Sequence, residues 1–543
     1  MRSSVCWTPP CAPHERPAHR LPRPLYRVRP TNFRGVSVKR AKGLTVVLTA
    51  VTGLVVCAGL VGCTGSEAEA TPHTAVPDRF ASQQVDWKAC GDPKLDEAGA
   101  QCAEVTVPLN YADPQGPTLT VAISRLAGTD PAPQRGVMLS NPGGPGGAGL
   151  DFMVDVAKAM TPEVRARYDL IGMDPRGVGR SSAVDCRWPI GFGLHSAGLD
   201  AAGFAESVAI QSDLAARCAT AEAARLPYIT TRNTARDMDV IRGILGADKI
   251  SYFGTSYGTY LGAVYMQMFP ERSDRMVLDS AADPDTYGSV GMVQAMGPAN
   301  EAALDLWADW VAARDNEYHF GTSRAQVRGA VQDLIEQAAD KPIRVGEYEV
   351  DEHWLPVVLF VGLDSPAQYG MLAGQIRTIA DAAAGKSAHP DETLDTTLGF
   401  VLKARPGENS AQMAIMCGDV AAPRDPGFYW RNIEAARAAE PVFAGFTNNV
   451  TPCTFWAPPA EPTTVVRNAV PAMIVQSTGD TRTVYDGAVA LHNDLSASRM
   501  VTLQDVQTHW IFGSYQNSCV YSAVNAYFRD GTLPADDMTC RAD

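Results

Sequence analysis

At 543 residues and 58.0 kDa the chain is longer than one ordinary domain, and 45% hydrophobic with 20% charged residues is globular composition, so one large core with an insertion, or two domains, is expected. The net charge of −14 conceals a split: residues 1–63 carry ten Lys/Arg and one acid, leaving 36 basic against 59 acidic residues, a net −23, in the remainder. So acidic a body is a poor partner for nucleic acid.

In chain order, the first 35 or so residues are rich in Pro, Arg and His and lack a core-forming pattern, which suits an over-extended start with translation beginning near Val36 or Val38. "KRAKGLTVVLTAVTGLVVCAGLVGC" then joins a basic start to an uncharged apolar run, Leu44 to Val61, and reads as an export signal. Its Leu60-Val61-Gly62-Cys63 tail resembles the bacterial lipobox, which would make Cys63 the lipidated membrane anchor; an uncleaved membrane span is the alternative. Residues 1–63 are thus leader and signal, and 64–85, polar and small, a flexible tether. Either reading puts the body outside the cytoplasm.

From Cys102, "CAEVTVPLNYADPQGPTLTVAISRLAG" reads as an antiparallel strand pair across a Pro/Gly turn. "RGVMLSNPGGPGGAG" and "YDLIGMDPRGVGRSS" each run from strand to loop, as at the carboxyl edge of a parallel sheet. Helical spacing follows over 201–225 and 234–245, the second with Asn233 or Thr234 as its cap. Next comes "KISYFGTSYGTYLGAVYMQMFPERSDRMVLDSAADP": a strand over Lys249 to Phe253, the pentapeptide GTSYG, helical spacing over Tyr260 to Phe269, and another strand. Alternation of strand and helix then stops, and 285–465 is mainly helical in pattern. It resumes with "AVPAMIVQSTGD", the helical "YDGAVALHNDLSA", the strand "RMVTLQ" and "TH". The pattern predicts an α/β core, 86–284 plus 466–543, interrupted by a helical cap at 285–465.

A G-x-S-x-G pentapeptide alone is weak, but between a strand and a helix it fits a nucleophile elbow, where small residues two positions either side of the serine let strand and helix approach. Ser256 is then the candidate nucleophile, with Gly254 and Gly258 beside it. An acyl-transferring serine needs a base, an orienting carboxylate and amide donors for the oxyanion. Asp480 follows the strand "AMIVQSTG" and His509 the next one, in the chain order Ser, Asp, His expected on an α/β sheet; Asp505 and Asp419 are rivals for the acid. The Tyr257 amide and one from "NPGGPGG" are the oxyanion candidates, Gly144 first and Gly143 second. Asp174 and Arg176 read as scaffold. The remaining histidines fall in the leader, tether, cap, a variable loop or, for His492, mid-helix.

Of twelve cysteines, Cys6, Cys11, Cys57 and Cys63 belong to the leader. The even eight that remain argue for disulfides in an exported chain, most simply between sequence neighbours: Cys90 with Cys102, Cys186 with Cys218, Cys417 with Cys453 and Cys519 with Cys540. No spacing suggests a metal site, and no cofactor is expected.

The set NPGGPG, D-P-R-G-x-G-x-S, "YFGTSYGTYLGAVYMQMFPERSDRMVLD", S-T-G-D and T-H, with the late cysteines, resembles the secreted tripeptidyl aminopeptidases of Streptomyces and the related mycobacterial cell-envelope serine hydrolases, within the prolyl aminopeptidase-like α/β-hydrolases. The resemblance spans Trp87 to Cys540. It implies an α/β-hydrolase fold with a mostly parallel sheet and a helical cap, Ser256 as nucleophile, Asp480 as acid and His509 as base. Two departures stand out: "DTRT" replaces a D-P-x-T, keeping Thr483 but changing Thr481 and Arg482, and "QTHW" replaces a Gly-His pair, so that Trp510 would narrow the site. The resemblance further implies release of short peptides from free N-termini, which requires a blind cleft and an acid for the α-ammonium group. Asp419, in "MCGDV", is the first candidate, with Glu352 and Glu317 behind it. A monomeric exported exopeptidase acting on peptides is the main expectation. A carboxylesterase or lipase with the same triad, or a non-catalytic peptide-binding lipoprotein, is the alternative.

Overall fold

The apolar runs become strands of one ten-stranded sheet: β1 (Lys88–Ala89), β2 (Gln101–Pro108), β3 (Thr118–Leu126), β4 (Gly136–Asn141), β5 (Tyr168–Met173), β6 (Ile250–Ser256), β7 (Ser273–Ala281), then, beyond a separate hairpin of β8 (Ile343–Val345) and β9 (Tyr348–Val350), β10 (Ala472–Ser477), β11 (Ser498–Gln504) and β12 (Met538–Arg541). The structure is a computed structural model describing residues 78–130, 135–405 and 410–543; the export segment, Cys63 and the first part of the expected tether lie outside the described residues. The described residues belong to one compact unit.

The sheet order is β1-β2-β3-β5-β4-β6-β7-β10-β11-β12. From β5 to β12 neighbouring strands are parallel, whereas β1, β2 and β3 form an antiparallel meander that joins through β3. The central strands are buried on both faces, which is why they read as near-continuous apolar runs. Successive residues divide between the faces: Leu139, Tyr252, Leu278 and Ile474 join one core cluster, and Met138, Phe253, Val277 and Met473 the other. The first cluster continues without a break into Leu304, Trp307 and Leu355, so the helical excursion between β7 and β10 shares a core with the sheet. That excursion runs from the helix Gly291–Ala312 to the helix Pro426–Ala436 and beyond, and includes the β8–β9 hairpin. Because β4 leads to β5 on one side while β6 lies on the other, the strand order reverses at β4, where a parallel sheet opens a crevice at its carboxyl edge.

Two local expectations are corrected. The helix expected over 234–245 spans Thr231–Ile244, and its cap is Thr230, whose hydroxyl accepts from the Asn233 amide, rather than Asn233 or Thr234. The last residues of the tether are docked: Phe80 is 2% exposed, and the Gln83 side chain bonds both the amide and the carbonyl of Thr106, each at 2.9 Å. The four disulfides join Cys90–Cys102, Cys186–Cys218, Cys417–Cys453 and Cys519–Cys540, the sequence-neighbour pairing. Among the described residues, no helix is long and apolar enough to cross a membrane.

The loop after β5 carries the scaffold pair. Asp174 accepts from the amides of Gly149, Leu150 and Arg180, tying this loop to the one after β4. Arg176 and Asp237 are both 0% exposed; the guanidinium reaches Asp237 Oδ2 at 2.7 Å and the carbonyls of Leu109 and Tyr228 at 3.0 Å, while Tyr111 donates to Asp237 Oδ1 at 2.7 Å. Removing one partner strands a buried charge, so Arg176→Ala should cost about 3–5 kcal/mol in denaturant unfolding. Arg176→Ala together with Asp237→Ala should cost less than the sum of the two single losses.

Candidate active site

Ser256 is the last residue of β6 and immediately precedes the helix Tyr257–Met268, at φ 59° and ψ −130°. A side chain held there costs on the order of 1–3 kcal/mol and persists only where its surroundings over-determine it. The surroundings are glycines: a Cβ at Gly254 would lie 2.4 Å from the Gly258 carbonyl oxygen, and one at Gly258 would lie 2.5 Å from the Asn141 carbonyl oxygen. Gly143 is as tight, since its Cβ would fall 2.7 Å from Ser256 Cβ and 2.6 Å from the Thr255 oxygen. The Thr259 hydroxyl closes the turn on the Ser256 carbonyl at 2.6 Å.

The loop after β4 therefore lies directly over the serine. Asn141 Oδ1 accepts from the Gly143 amide at 3.0 Å, which takes Gly143 out of the oxyanion candidates, and Gly147 N bonds the Gly143 carbonyl at 3.1 Å. Gly144, at φ 108°, keeps its amide out of both bonds. Tyr257 opens its helix, so its amide has no acceptor in the helical ladder. At Gly146 the loop meets the helix Ala411–Asp419, where a Cβ would sit 2.8 Å from the Gln412 amide nitrogen.

Asp480 and His509 come from the loops after β10 and β11. The imidazole Nδ1 lies 3.0 and 2.9 Å from the two Asp480 oxygens. Asp480 also accepts from the Arg482 and Thr483 amides at 2.8 and 3.0 Å and from the Thr483 hydroxyl at 2.9 Å. Burial pushes the Asp480 carboxyl up, but the charge and bond of His509 and these amides outweigh it and hold it below its ordinary value. Burial likewise pushes His509 down, and Asp480 more than offsets this, so the imidazole sits above 6.5. A base with Nδ1 fixed on a carboxylate presents Nε2 to a nucleophile.

Several expected substrate contacts have other employment. Thr483 serves Asp480. The Trp510 indole donates to the Phe512 carbonyl at 2.8 Å and its ring packs 5.3 Å from that of Phe152. Glu352 accepts from the Leu199 amide at 2.7 Å, and Glu317 is exposed on the surface. Asp505 is also exposed, 3.5 Å from Arg541, which removes it as a rival acid. Asp419 is buried: its carboxylate takes the Thr231 amide and hydroxyl at 2.7 and 2.5 Å and the Tyr287 hydroxyl at 3.2 Å, and the Thr231 hydroxyl also meets the Tyr257 phenol at 2.6 Å. Burial pushes the Asp419 carboxyl up to about 7, the Thr231 and Tyr287 bonds offsetting only part.

Links to the helical excursion were not expected from sequence. Arg482 Nε lies 3.2 Å from Asp364, its Nη1 reaches Asn300 Oδ1 at 3.2 Å, another nitrogen donates to the Phe360 carbonyl, and the guanidinium stacks 3.6 Å from the Phe360 ring centroid. Gln507 bonds the Leu363 carbonyl at 2.8 Å and the Tyr369 hydroxyl at 2.6 Å. The "DTRT" departure was the visible signal; its partners lie more than a hundred residues away.

A serine hydrolase of the α/β-hydrolase fold is the class that this strand order and this turn define. Comparison with known proteins narrows it. Residues 440–540 match a family described as TAP-like protein. Over 489 residues the chain is 34% identical to a tripeptidyl aminopeptidase of Streptomyces lividans, covering 85% of this chain and 87% of that one. It is 28% identical to the serine protease Hip1 of Mycobacterium tuberculosis, over 84% and 91% of the two chains, and 30% identical to a carboxylesterase B of that species, over 84% and 90%. The chain belongs to the tripeptidyl aminopeptidase family.

Asp419 gives a signed prediction. Its folded pKa of about 7 exceeds the ordinary 3.8, so the unfolded chain loses this proton first and the residue's contribution to stability falls as pH rises from about 4 to about 7. Asp419→Asn removes that contribution, so the stability difference between variant and wild type should shift in the variant's favour across that window by on the order of 4 kcal/mol, read from urea midpoints.

Proposed function

We propose that the protein is an exported serine exopeptidase that releases short peptides from free N-termini, with Ser256 as nucleophile, His509 as base and Asp480 as the acid that orients it. Ser256 Oγ attacks the peptide carbonyl as its proton passes to His509 Nε2, and the amides of Tyr257 and Gly144 receive the oxyanion. His509 then protonates the leaving amine, and water, activated by the same imidazole, clears the acyl-enzyme. Residues 285–465 act as the cap that closes the cleft behind the substrate's amino end. The observation that carries the reading is the hydrogen-bonded Asp480–His509 pair on the same sheet edge as the strained turn at Ser256, in a chain 34% identical to a tripeptidyl aminopeptidase. Four disulfides suit an oxidising compartment, and Cys63 as lipid anchor would keep a monomeric enzyme at the outer face of the membrane, unless it is secreted free.

A carboxylesterase is the second reading. The 30% identity to a carboxylesterase B favours it, as does the engagement of Asp419 and Glu352 in structural bonds, which leaves neither carboxylate idle for an ammonium group.

Matched chromogenic tripeptide amides, one with a free and one with an acetylated N-terminus, separate the readings. The free amine alone should be cleaved, and Ser256→Ala should lower kcat by about 10⁴-fold or more. Cleavage of a short acyl ester but of neither amide would transfer the protein to the esterase reading.

The pH dependence follows from His509. Only the neutral imidazole accepts the serine proton, so kcat/KM should rise with pH through a midpoint above 6.5. Asp480→Asn should move that midpoint down and cut kcat by about 10⁴-fold; a wild-type midpoint at or below 6.5 would count against the pair.

A further inference from the structure

We propose that Asp279 is a positioning residue for His509: a second carboxylate, at the carboxyl end of β7, that clamps the backbone just beyond the imidazole. This rests on the reading of Ser256, His509 and Asp480 given above.

Asp279 stands level with Thr255 on β6 and with Val475 on β10, between the strand that ends in Ser256 and the strand that leads to Asp480. It is 0% exposed. Its Oδ2 accepts from the Phe512 amide at 2.7 Å, and the Ile511 amide lies 3.1 and 3.2 Å from its two oxygens. The neighbouring Ser280 hydroxyl donates to Asp279 Oδ1 at 3.2 Å and accepts from the Trp510 amide at 2.8 Å. Three successive amides after His509 are thus gathered onto two residues of β7. The backbone is bent to allow it, with φ of 58° at Ser280, 65° at Trp510 and 111° at Gly513.

Every hydrogen-bonding neighbour named here is a donor, so the site is built for a carboxylate rather than for a neutral residue of its shape. Burying such a charge is costly unless it is fully bonded, and its partners from outside its own strand belong to the histidine's loop. The charged and titratable groups facing Asp279 are His509, beyond β11, and Tyr521, whose hydroxyl accepts from the Gly513 amide at 2.9 Å on the helix Ser518–Asp530. His509 itself faces Asp480, Asp364 and Arg482 as well. Burial lifts the Asp279 carboxyl to about 6, the amide bonds and His509 restraining it.

The test uses a fluorophosphonate probe, whose rate of reaction reports nucleophile activation whichever substrate class is correct. Inactivation rates are measured against pH for wild type, Asp279→Asn and Ser280→Ala, with labelling at Ser256 confirmed by mass spectrometry and folding by circular dichroism. Asp279→Asn sets a carboxamide against the Ile511 and Phe512 amides and loosens the histidine's loop, so the plateau should fall about tenfold, and the loss of a negative charge coupled to His509 should also move the rising limb to lower pH. Ser280→Ala keeps the charge and loses one tie, so the plateau should fall while the limb stays in place. A folded Asp279→Asn with the wild-type plateau and limb overturns the proposal even if its melting temperature drops, because a purely structural residue would do that. Should Asp279→Asn fail to fold, Ser280→Ala decides: a wild-type plateau overturns the proposal and a lowered one supports it. Absence of Ser256 labelling in wild type defeats the triad reading itself, and this inference with it.

Discussion

The residue between β6 and the following helix must turn the chain at φ 59° while carrying a hydroxymethyl group, and most of the surrounding structure is arranged to make that tolerable. Gly254 and Gly258 let the strand and helix touch, Gly143 lets the loop after β4 lie over the turn, and Asn141 holds that loop by the Gly143 amide. Asp174 then ties the same loop to the one after β5. The cost of the strained turn is on the order of 1–3 kcal/mol, small against the buried sheet on both sides, so the sheet can enforce it. A serine held there has its side chain off both the strand and the helix.

The electrostatics follow from the same edge. Parallel strands deliver their carboxyl ends and succeeding loops to one side, so the carboxylates at the end of β7 and after β10 and the histidine after β11 converge there. Both carboxylates are buried, yet they behave differently. Asp480 faces an imidazole and two amides and is held below its ordinary value, whereas Asp279 has amides and a more distant imidazole and is pushed up to about 6. Burial raises both, and the nearness of the cationic partner decides which way each ends.

Much of this was legible in the sequence because it is local. The strand, GTSYG and helix at Ser256, the strands before Asp480 and His509, the order of the triad candidates and the disulfide partners are written in contiguous text or in simple spacing. What was missed depends on contacts between distant segments. "YITTRNTARD" offers Thr230, Thr231, Asn233 and Thr234 as caps within five residues, and only the extended backbone at Thr230, φ −139° and ψ 154°, decides among them. Asp419 looks like any loop acid until Thr231 and Tyr287 enclose it, and Glu352 until the Leu199 amide finds it. Asp279 is one of several acids near the end of β7, and its importance lies in a loop some 230 residues later. The tether reading failed at its end because Phe80 and Gln83 are apolar and polar anchors in a stretch whose overall composition is that of a linker.

The links from Arg482 to Phe360, Asn300 and Asp364, and from Gln507 to Leu363 and Tyr369, bind the loops of Asp480 and His509 to the helices above them. With Gly146 wedged against Gln412 on the other side, the roof of the site is pinned at both eaves. The helices and the two loops are thus one mechanical unit: a shift of the helices would have to break the bonds that hold the Asp480 and His509 loops in place.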